Sequence, residues 1–402
     1  MTGRQPPEVR LSPDRLARAA LAYLAEPGDV ALGALLAICE PADVLAAIRA
    51  DLLPGTGPGC GDTPASRAAL ERALGRWRTR LPGLPEDESI AAACCGGGVR
   101  LACPGDAEWP SALDQLGQAR PYALWLRGNA SLGFACSRSV SIVGSRAATG
   151  YGGHVAGEIA AELGERGWAI VSGGAYGIDA AAHRGALAAE AVTIAVLACG
   201  VDYPYPAGHA DLFDAIAAQG VVVSEWPPGR RPARMRFLVR NRVIAALGCG
   251  TVIVEAGERS GALNTARHAA DLGKPLMAVP GPVTSAQSAG CHRIIREWAA
   301  SCVTSASDII ELLSPLTIPD ALAPGGPPQA PPPDSGDTPT RDDLDADSAR
   351  VLDALPSRGG AGTATIAVDA GVDLDTVLRC LGRLAGYGFI ERCERGWRLR
   401  RS

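Results

Sequence analysis

The chain has 402 residues, with 38 Lys+Arg against 43 Asp+Glu and a net charge of −5. Its composition, 47% hydrophobic and 20% charged, is that of a globular protein and excludes a fibrous chain or one disordered throughout. The acidic balance argues against a surface coated in positive charge for nucleic acid, but it is compatible with one local basic cluster. Lys274 is the only lysine, so all other cations are arginines.

The cysteines and apolar runs give no sign of export or membrane insertion. The 12 cysteines form no CxxC pair, and Cys39, Cys199 and Cys249 lie inside apolar runs. They predict reduced thiols, without a disulfide framework or a metal site. No signal-peptide apolar region is present, and the longest apolar stretch, 30–39, is about half of the roughly 20 residues that a membrane span needs. We expect a soluble, cytoplasmic protein.

The chain divides into four parts. Apolar residues at helical spacing predict a small helical domain over 1–100, and 101–314 has the pattern of an α/β domain. Eight prolines between Pro319 and Pro339 predict that 315–344 is a linker without a core. Apolar periodicity returns over 345–402, which predicts a separate C-terminal domain.

Within 136–312, short β-branched runs alternate with helical segments. The predicted strands are 140–143, 169–171, 192–197, 221–223, 251–254 and 276–279. They are continuously apolar, as is typical of a parallel sheet covered on both faces. Five crossovers predict an α/β fold with a Rossmann-like, doubly wound and mostly parallel sheet.

The segments that follow these strands carry glycine, hydroxyl and arginine groups. Ligands of such sheets bind at the carboxyl ends of the strands. Gly-Ser-Arg follows the first strand at 144–146, Ser-Gly-Gly follows the second at 172–174, and Ser260 lies beyond the fifth. Backbone N–H groups and hydroxyls at these positions favour an anion. Neither a GxGxxG fingerprint nor a P-loop is present, so we expect no nucleotide cofactor.

The strongest local signal is a cluster of six arginines in 230–242 without one acid. Arg236 and Arg240 share one helical face, and Phe237 and Asn241 share the next. Arginines neutralise phosphates, and an aromatic ring stacks on a base for about 1–3 kcal/mol. The pattern favours single-stranded nucleic acid over a solvated basic helix, which would place acids nearby. The next acid along the chain is Glu255.

The sequence signals for a catalytic site are weaker than the signal of the arginine cluster. Asp179 and His183, four residues apart, could orient a base or form half a metal site, but an Asp near a helix start more often complements the dipole and such a His packs. Glu255 could act as a base, or bind the arginines or a ribose hydroxyl. No nucleophile arrangement follows from the spacing. We expect a protein that is not an enzyme.

Together these motifs resemble the DNA-processing protein A (DprA/Smf) family of recombination mediators. The similarity spans roughly 104–312 and rests on the motifs at 144–146, 172–179, 224–229, 237–242, 255–266 and 279–281. Departures are Leu238 where the family has Pro, His209 and His292 where Asn is common, and Trp298 where Gly is expected. These changes affect loops more than the DNA-binding motifs.

The resemblance implies a single-stranded DNA-binding mediator without an agreed catalytic reaction. It implies loading of a RecA-type recombinase during DNA uptake, transformation or recombination, and a homodimer formed through the Rossmann-like domain. The expected DNA-binding residues are Gly144, Ser145, Arg146, Ser172, Gly173, Gly174, Arg236, Phe237, Arg240, Asn241, Arg242, Ser260, Gly261 and Thr265.

The flanking parts resemble small modules. Residues 1–100 are expected to form a SAM-like or helix–hairpin–helix-like domain. Residues 345–402 resemble a winged helix, with helices at 346–355, 363–370 and 375–387 and a hairpin formed by 389–392 and 396–400. Its closing arginines favour a DNA contact, whereas its aspartates favour docking to a protein.

Two other functions compete with DNA binding. A nucleotide-processing enzyme of the phosphoribohydrolase type has a related sheet and uses a Glu after a strand. Its Pro-Gly-Gly-x-Gly-Thr-x-x-Glu signature is absent, since 280–283 read Pro-Gly-Pro-Val. A structural adaptor that works through the two flanking modules would bind neither nucleic acid nor nucleotide.

Overall fold

The structure is a computed structural model that divides into two compact units, Met1–Ser314 and Pro315–Ser402. The described residues are 11–52, 64–314, 344–356, 360–361, 363–372, 376–377, 380–381, 384, 389–393 and 396–399. The first unit contains the N-terminal helices and a nine-stranded sheet. The two units are described separately.

The N-terminal part is helical, as predicted. Its helices are α1 (Pro13–Leu24), α2 (Val30–Leu36), α3 (Pro41–Arg49), α4 (Pro64–Thr79) and α5 (Asp87–Cys95), with a 3₁₀ turn at Leu81–Gly83. Ser12 and Asp29 cap α1 and α2 by accepting hydrogen bonds from the backbone N–H groups of Arg15 and Ala31. Such caps satisfy N–H groups that have no partner within the helix.

The sheet has the order β1-β2-β6-β5-β4-β3-β7-β8-β9. Its strands are β1 (Val99–Ala102), β2 (Leu124–Gly128), β3 (Ser139–Gly144), β4 (Ala169–Ser172), β5 (Thr193–Leu197), β6 (Val221–Ser224), β7 (Gly250–Val254), β8 (Leu276–Ala278) and β9 (Ser301–Cys302). The strands from β3 to β9 pair in parallel, whereas β1 and β2 extend the β6 edge antiparallel. The mostly parallel sheet is confirmed.

Helices connect the parallel strands on both faces. They are α6 (Leu132–Cys136), α7 (Gly150–Glu165), α8 (Ile178–Ala188), α9 (Ala210–Gln219), α10 (Arg234–Leu247), α11 (Ala262–Asp271), α12 (Ala289–Glu297) and α13 (Ala306–Leu313), with 3₁₀ turns at Ser111–Ala119 and Ala207–His209. Helix α10 includes Arg234, Arg236, Arg240 and Arg242, so that four arginines of the cluster lie on one helix.

Alternate side chains of the strands enter different cores. Ile194 and Val196 of β5 pack in the cluster that contains α10, whereas Ala195 and Leu197 pack in the cluster that contains the N-terminal helices. Strands β5 and β6 are therefore covered on both faces, which explains their continuous apolar runs. Because the N-terminal helices and β5 share one core, the boundary near residue 100 is not a break in packing. That domain boundary stays a prediction.

Among its described residues, the C-terminal unit contains the helices α14 (Ala346–Asp353) and α15 (Thr363–Ala370) and an antiparallel hairpin of β10 (Ile390–Cys393) and β11 (Gly396–Leu399). A separate apolar cluster includes Val351, Ile366 and Leu381. The predicted third helix, 375–387, falls largely outside the described residues, and so does the linker. The winged-helix assignment therefore stays a prediction.

A buried ion pair holds α10 against the rest of the α/β part. The Arg242 guanidinium donates to both carboxylate oxygens of Glu225 at 2.6 Å, and its Nε donates to the Ala119 carbonyl at 2.9 Å. The two side chains are only 7% and 3% exposed. A buried pair of this kind becomes costly when one partner is removed, because the other charge is left without compensation.

We expect Arg242→Ala to lower the free energy of unfolding by about 3–5 kcal/mol. The matched control is Arg49→Ala, because the Arg49–Asp87 pair is about half exposed and is expected to contribute about 1 kcal/mol or less. Chemical denaturation followed by far-UV circular dichroism measures both. Equal losses from the two variants would contradict the structural role of Arg242.

Candidate functional site

A cleft opens where the strand order reverses. From β3 the chain proceeds through β4, β5 and β6 in one direction, and β7 then pairs with the other side of β3. The loops after β3 and β7 line a cleft of about 1190 Å³ together with the first half of α10. The predicted site residues that line it are Gly144, Ser145, Arg146, Phe237, Arg240, Asn241, Ser260, Gly261 and Thr265.

The back of the cleft is closed by backbone contact between the two loops. A Cβ at residue 144 would overlap the Val254 carbonyl oxygen, so this position requires glycine. The Ser145 N–H then donates to the Glu255 carbonyl at 2.7 Å. The Gly-Ser-Arg turn is thereby fixed, with Arg146 exposed on the rim.

Arg240 forms the floor. It is 4% exposed, and its Nη1 donates to the Gly173 carbonyl at 2.8 Å and to the Val196 carbonyl. A Cβ at residue 173 would overlap this guanidinium, which explains why Gly173 is needed although it does not line the cleft. Burial lowers the pKa of Arg240 to about 10, with the Asp179 carboxylate acting in the opposite direction. Arg240 is therefore cationic at neutral pH.

One wall is aromatic and basic. The Arg146 guanidinium carbon lies 5.1 Å from the centroid of the Phe237 ring, and the Tyr205 ring lies 5.6 Å from the same centroid at 51°. One turn further along α10, the Asn241 amide donates to the Asn264 side-chain oxygen at 3.1 Å. The cleft thus combines a cation, an aromatic surface and an amide.

Two further arginines reach the cleft. Arg234 and Arg259 line it and are exposed, and within the part of the chain that the structure describes neither forms an ion pair. Tyr205 and Gln287 also line the cleft. None of these four was among the predicted site residues. Arg234 belongs to the arginine cluster and Arg259 adjoins Ser260, so position relative to the motifs could have indicated both.

The other predicted residues do not line the cleft. They are Ser172, Gly173, Gly174, Arg236 and Arg242. The Ser172 hydroxyl donates to the Ile142 carbonyl at 2.6 Å, and Arg236 donates to both carboxylate oxygens of Glu26 at 3.0 and 3.2 Å.

The folded chain brings two acids to the arginine cluster, one from 210 residues away and one from just before the cluster. Glu26 and Glu225 pair with two of its arginines. The expectation of an acid-free cluster holds for the local sequence but is wrong for the folded chain.

The candidate catalytic side chains are buried and form hydrogen bonds within the protein. The Glu255 carboxylate is buried and accepts hydrogen bonds from the Thr149 hydroxyl at 2.5 Å and from the Thr149 N–H at 2.8 Å. His183 Nδ1 lies 2.7 Å from the Thr193 hydroxyl. Burial lowers the pKa of His183 to about 3, so it is neutral and packs as predicted. Among the described residues, Asp179 is the one carboxylate that lines the cleft, and burial raises its pKa.

Metal binding and membrane insertion receive no support. Across the described ranges, no group of three His, Cys, Asp or Glu side chains could hold a metal ion. Nor does any helix in those ranges have the length and apolar character needed to cross a bilayer.

Comparison with known proteins places the chain in a family. The sequence profile described as DNA recombination-mediator protein A matches residues 100–314. A putative DNA processing protein DprA of Mycobacterium tuberculosis is 41% identical over 404 residues, covering 98% of this chain and 96% of the relative. DprA of Bacillus subtilis is 32% identical over 246 residues, which are 61% of this chain and 80% of the relative. The X-ray structure of DprA from Streptococcus pneumoniae matches with a TM-score of 0.57 and 28% identity, covering 75% of this chain and 98% of that chain. The chain therefore belongs to the DprA/Smf family of DNA recombination-mediator proteins.

Proposed function

We propose that this protein binds single-stranded DNA in the cleft and thereby acts as a recombination mediator that loads a RecA-type recombinase. The observation that carries the proposal is the juxtaposition of Arg146, Arg234 and Arg259 with the Phe237 ring in one cleft. Arginines bind phosphates through forked, charge-assisted hydrogen bonds, and the ring offers a surface for a base.

The composition of the cleft favours a single strand over a duplex. In a duplex the base faces are stacked and unavailable to a side chain, whereas a single strand can place a base against Phe237. Arg240 adds a fixed positive charge beneath that position, and the Asn241 amide and the Thr265 hydroxyl offer hydrogen-bonding groups beside it. Phosphate, base face and base edge therefore each have a counterpart in the cleft.

Family membership supports the mediator role. A RecA-type recombinase is the proposed protein partner, and a homodimer through the α/β part is the proposed assembly. DNA uptake, transformation and recombination are the processes in which such a protein would act. We also propose that the protein works by binding rather than by catalysis.

The competing phosphoribohydrolase function lacks its key group. Its glutamate would have to face the substrate, but both oxygens of the Glu255 carboxylate bind Thr149 at the start of α7. The buried Asp179 lies at the start of α8, near the cationic Arg240. A carboxylate free to abstract a proton from water is therefore not among the described residues that line the cleft.

We expect the double variant Arg146→Ala/Arg234→Ala to lower the affinity for single-stranded DNA by at least about tenfold at low salt, because charge-assisted hydrogen bonds to phosphate are lost. The slope of log affinity against log salt should flatten by about 0.7 for each lost phosphate contact. Fluorescence anisotropy with a labelled oligothymidylate over a salt series measures both quantities.

The matched control for this experiment is Arg166→Ala. Arg166 is exposed and precedes β4, so it lies near the amino ends of the parallel strands, whereas the cleft lies at their carboxyl ends. It should retain wild-type affinity and salt slope. Wild-type affinity and slope in the double variant would refute the proposed DNA site.

We expect Glu255→Gln to lower stability by about 1 kcal/mol, because the carboxylate that binds the start of α7 is neutralised. The affinity for single-stranded DNA should change less than about twofold. Neither the wild type nor the variant should release free base from nucleoside monophosphates, as measured by chromatography. Base release by the wild type that disappears in Glu255→Gln would support the hydrolase instead.

We expect the wild-type protein to accelerate assembly of a RecA-type recombinase on oligonucleotides covered by single-strand-binding protein, because it binds both the strand and the recombinase. The Arg146→Ala/Arg234→Ala variant should not accelerate assembly, whereas Arg166→Ala should. Recombinase ATPase activity reports filament assembly. No acceleration by a wild-type protein that binds the strand normally would remove the loading role and leave DNA binding intact.

A further inference from the structure

Resting on the proposed function, we propose that Tyr205 and Tyr176 continue the base-stacking surface that begins at Phe237. A single strand bound in the cleft would then leave it across the carboxyl ends of β5 and β4, with one base on each of these two rings. We refer to Phe237, Tyr205 and Tyr176 as the aromatic track.

Both tyrosines are exposed, a property that they share with Tyr151 and Tyr203. Aromatic residues make up only 4% of the chain, yet Tyr205 and Tyr176 are 43% and 51% exposed. Both lie in loops at the carboxyl ends of neighbouring strands, Tyr176 after β4, which is next to β3, and Tyr205 after β5, which is next to β4. An exposed ring at the carboxyl ends of the strands is available to stack on a base.

Tyr205 is continuous with the cleft. It is one of the lining residues, and its ring centroid lies 5.6 Å from that of Phe237. The two rings are tilted by 51°, which is too open for a closed stack between them. Each ring therefore keeps surface on which a base can lie.

Tyr176 is held in place from the core. Its ring packs edge-to-face on the His209 ring at 4.5 Å, and His209 in turn lies 6.3 Å from the buried Phe213 ring. His209 Nδ1 is 3.0 Å from the Gly174 carbonyl oxygen, which fixes the imidazole. A ring presented rigidly in this way loses little conformational entropy when a base stacks on it.

The chain connects the two positions closely. His209, which supports Tyr176, is only four residues beyond Tyr205, and the segment between them ends in the 3₁₀ turn Ala207–His209. Arg146 and Arg234 line the cleft together with Tyr205 and supply cations for the phosphates at that end of the track. Aromatic surface joined to cations is the arrangement that suits a single strand.

The test compares Tyr205→Ala and Tyr176→Ala with the control Tyr203→Ala. Tyr203 lies in the same loop as Tyr205, after β5, and is 37% exposed. It does not line the cleft, and none of the described rings stacks on it. Affinity is measured for oligothymidylates of about 4 and about 16 nucleotides, the range that one such site covers.

We expect Tyr205→Ala to weaken binding of both oligonucleotides by about five- to a hundredfold, the loss of one stacked base. Tyr176→Ala should weaken only the longer one to a similar degree, because the shorter one does not reach it. Tyr203→Ala should stay within about twofold of the wild type. Tyr205→Phe and Tyr176→Phe should keep wild-type affinity, because they keep the ring.

A second measurement uses the unaltered protein and so decides the matter even if an alanine variant fails to fold. The probe is an oligonucleotide of about 16 nucleotides that carries normal bases only in one block at its end and abasic sites at all other positions. It keeps every phosphate, but it lacks the bases that would stack on the tyrosines outside the cleft. The wild type should bind it about five- to a hundredfold more weakly than the intact strand. Equal affinity would overturn the track.

Failure of the track and failure of the proposed function are distinguishable. If the wild type binds no single-stranded DNA, or binds it independently of Arg146 and Arg234, the proposed function fails. If that binding is normal but Tyr205→Ala and Tyr176→Ala match Tyr203→Ala, only the track fails. Variants that keep DNA affinity but lose recombinase assembly would assign the tyrosines to a protein contact and also overturn it.

Discussion

The site depends on the reversal of strand order between β3 and β7. The loops that follow these two strands belong to crossovers that lead to opposite sides of the sheet, so neither loop fills the space above their shared edge. The hydrogen bond from the Ser145 N–H to the Glu255 carbonyl closes that space from behind. Helix α10 limits it from the front, because Arg240 is bound to carbonyl oxygens at the ends of β4 and β5. The cleft is thus a consequence of topology, and its chemistry comes from the residues placed along it.

The arginines of α10 have different partners and therefore different roles. Successive residues of a helix point about 100° apart, so arginines at 234, 236, 240 and 242 cannot all face one ligand. Arg242 pairs with Glu225, Arg236 pairs with Glu26, and Arg240 binds strand carbonyls. Only the exposed Arg234 both lines the cleft and lacks such a partner among the described residues. A high local density of arginine therefore marks the region of a binding site without identifying its ligand-binding members.

The parts of the fold governed by local pattern could be predicted. Continuously apolar runs fixed the six central strands, and the rule that ligands bind at carboxyl ends located the cleft at 144–146 and 260–261. The antiparallel strands β1 and β2 were not predicted, because β2 pairs with β6, about a hundred residues later in the sequence, and β1 joins the sheet only through β2. The partner of Arg236, Glu26, was hidden for the same reason, since it lies 210 residues away, whereas Glu225 lies only 17 residues before Arg242. Sequence spacing shows which side chains are neighbours along an element, but not which ones meet after folding.

The ion pairs of Arg236 and Arg242 with glutamates explain how a chain of acidic net charge can contain a basic cleft. Glu26, between α1 and α2, accepts hydrogen bonds from Arg236 and from the Trp226 indole, and the Tyr23 carbonyl accepts one from Arg230. The N-terminal helices thereby fix the segment that leads into α10, and with it the position of Arg234 at the cleft. Glu26 of the flanking part neutralises Arg236, while Arg146, Arg234 and Arg259 stay without a carboxylate partner within the described residues. A net negative chain can therefore present a locally cationic cleft, because Glu26 and Glu225 pair with arginines that do not line the cleft.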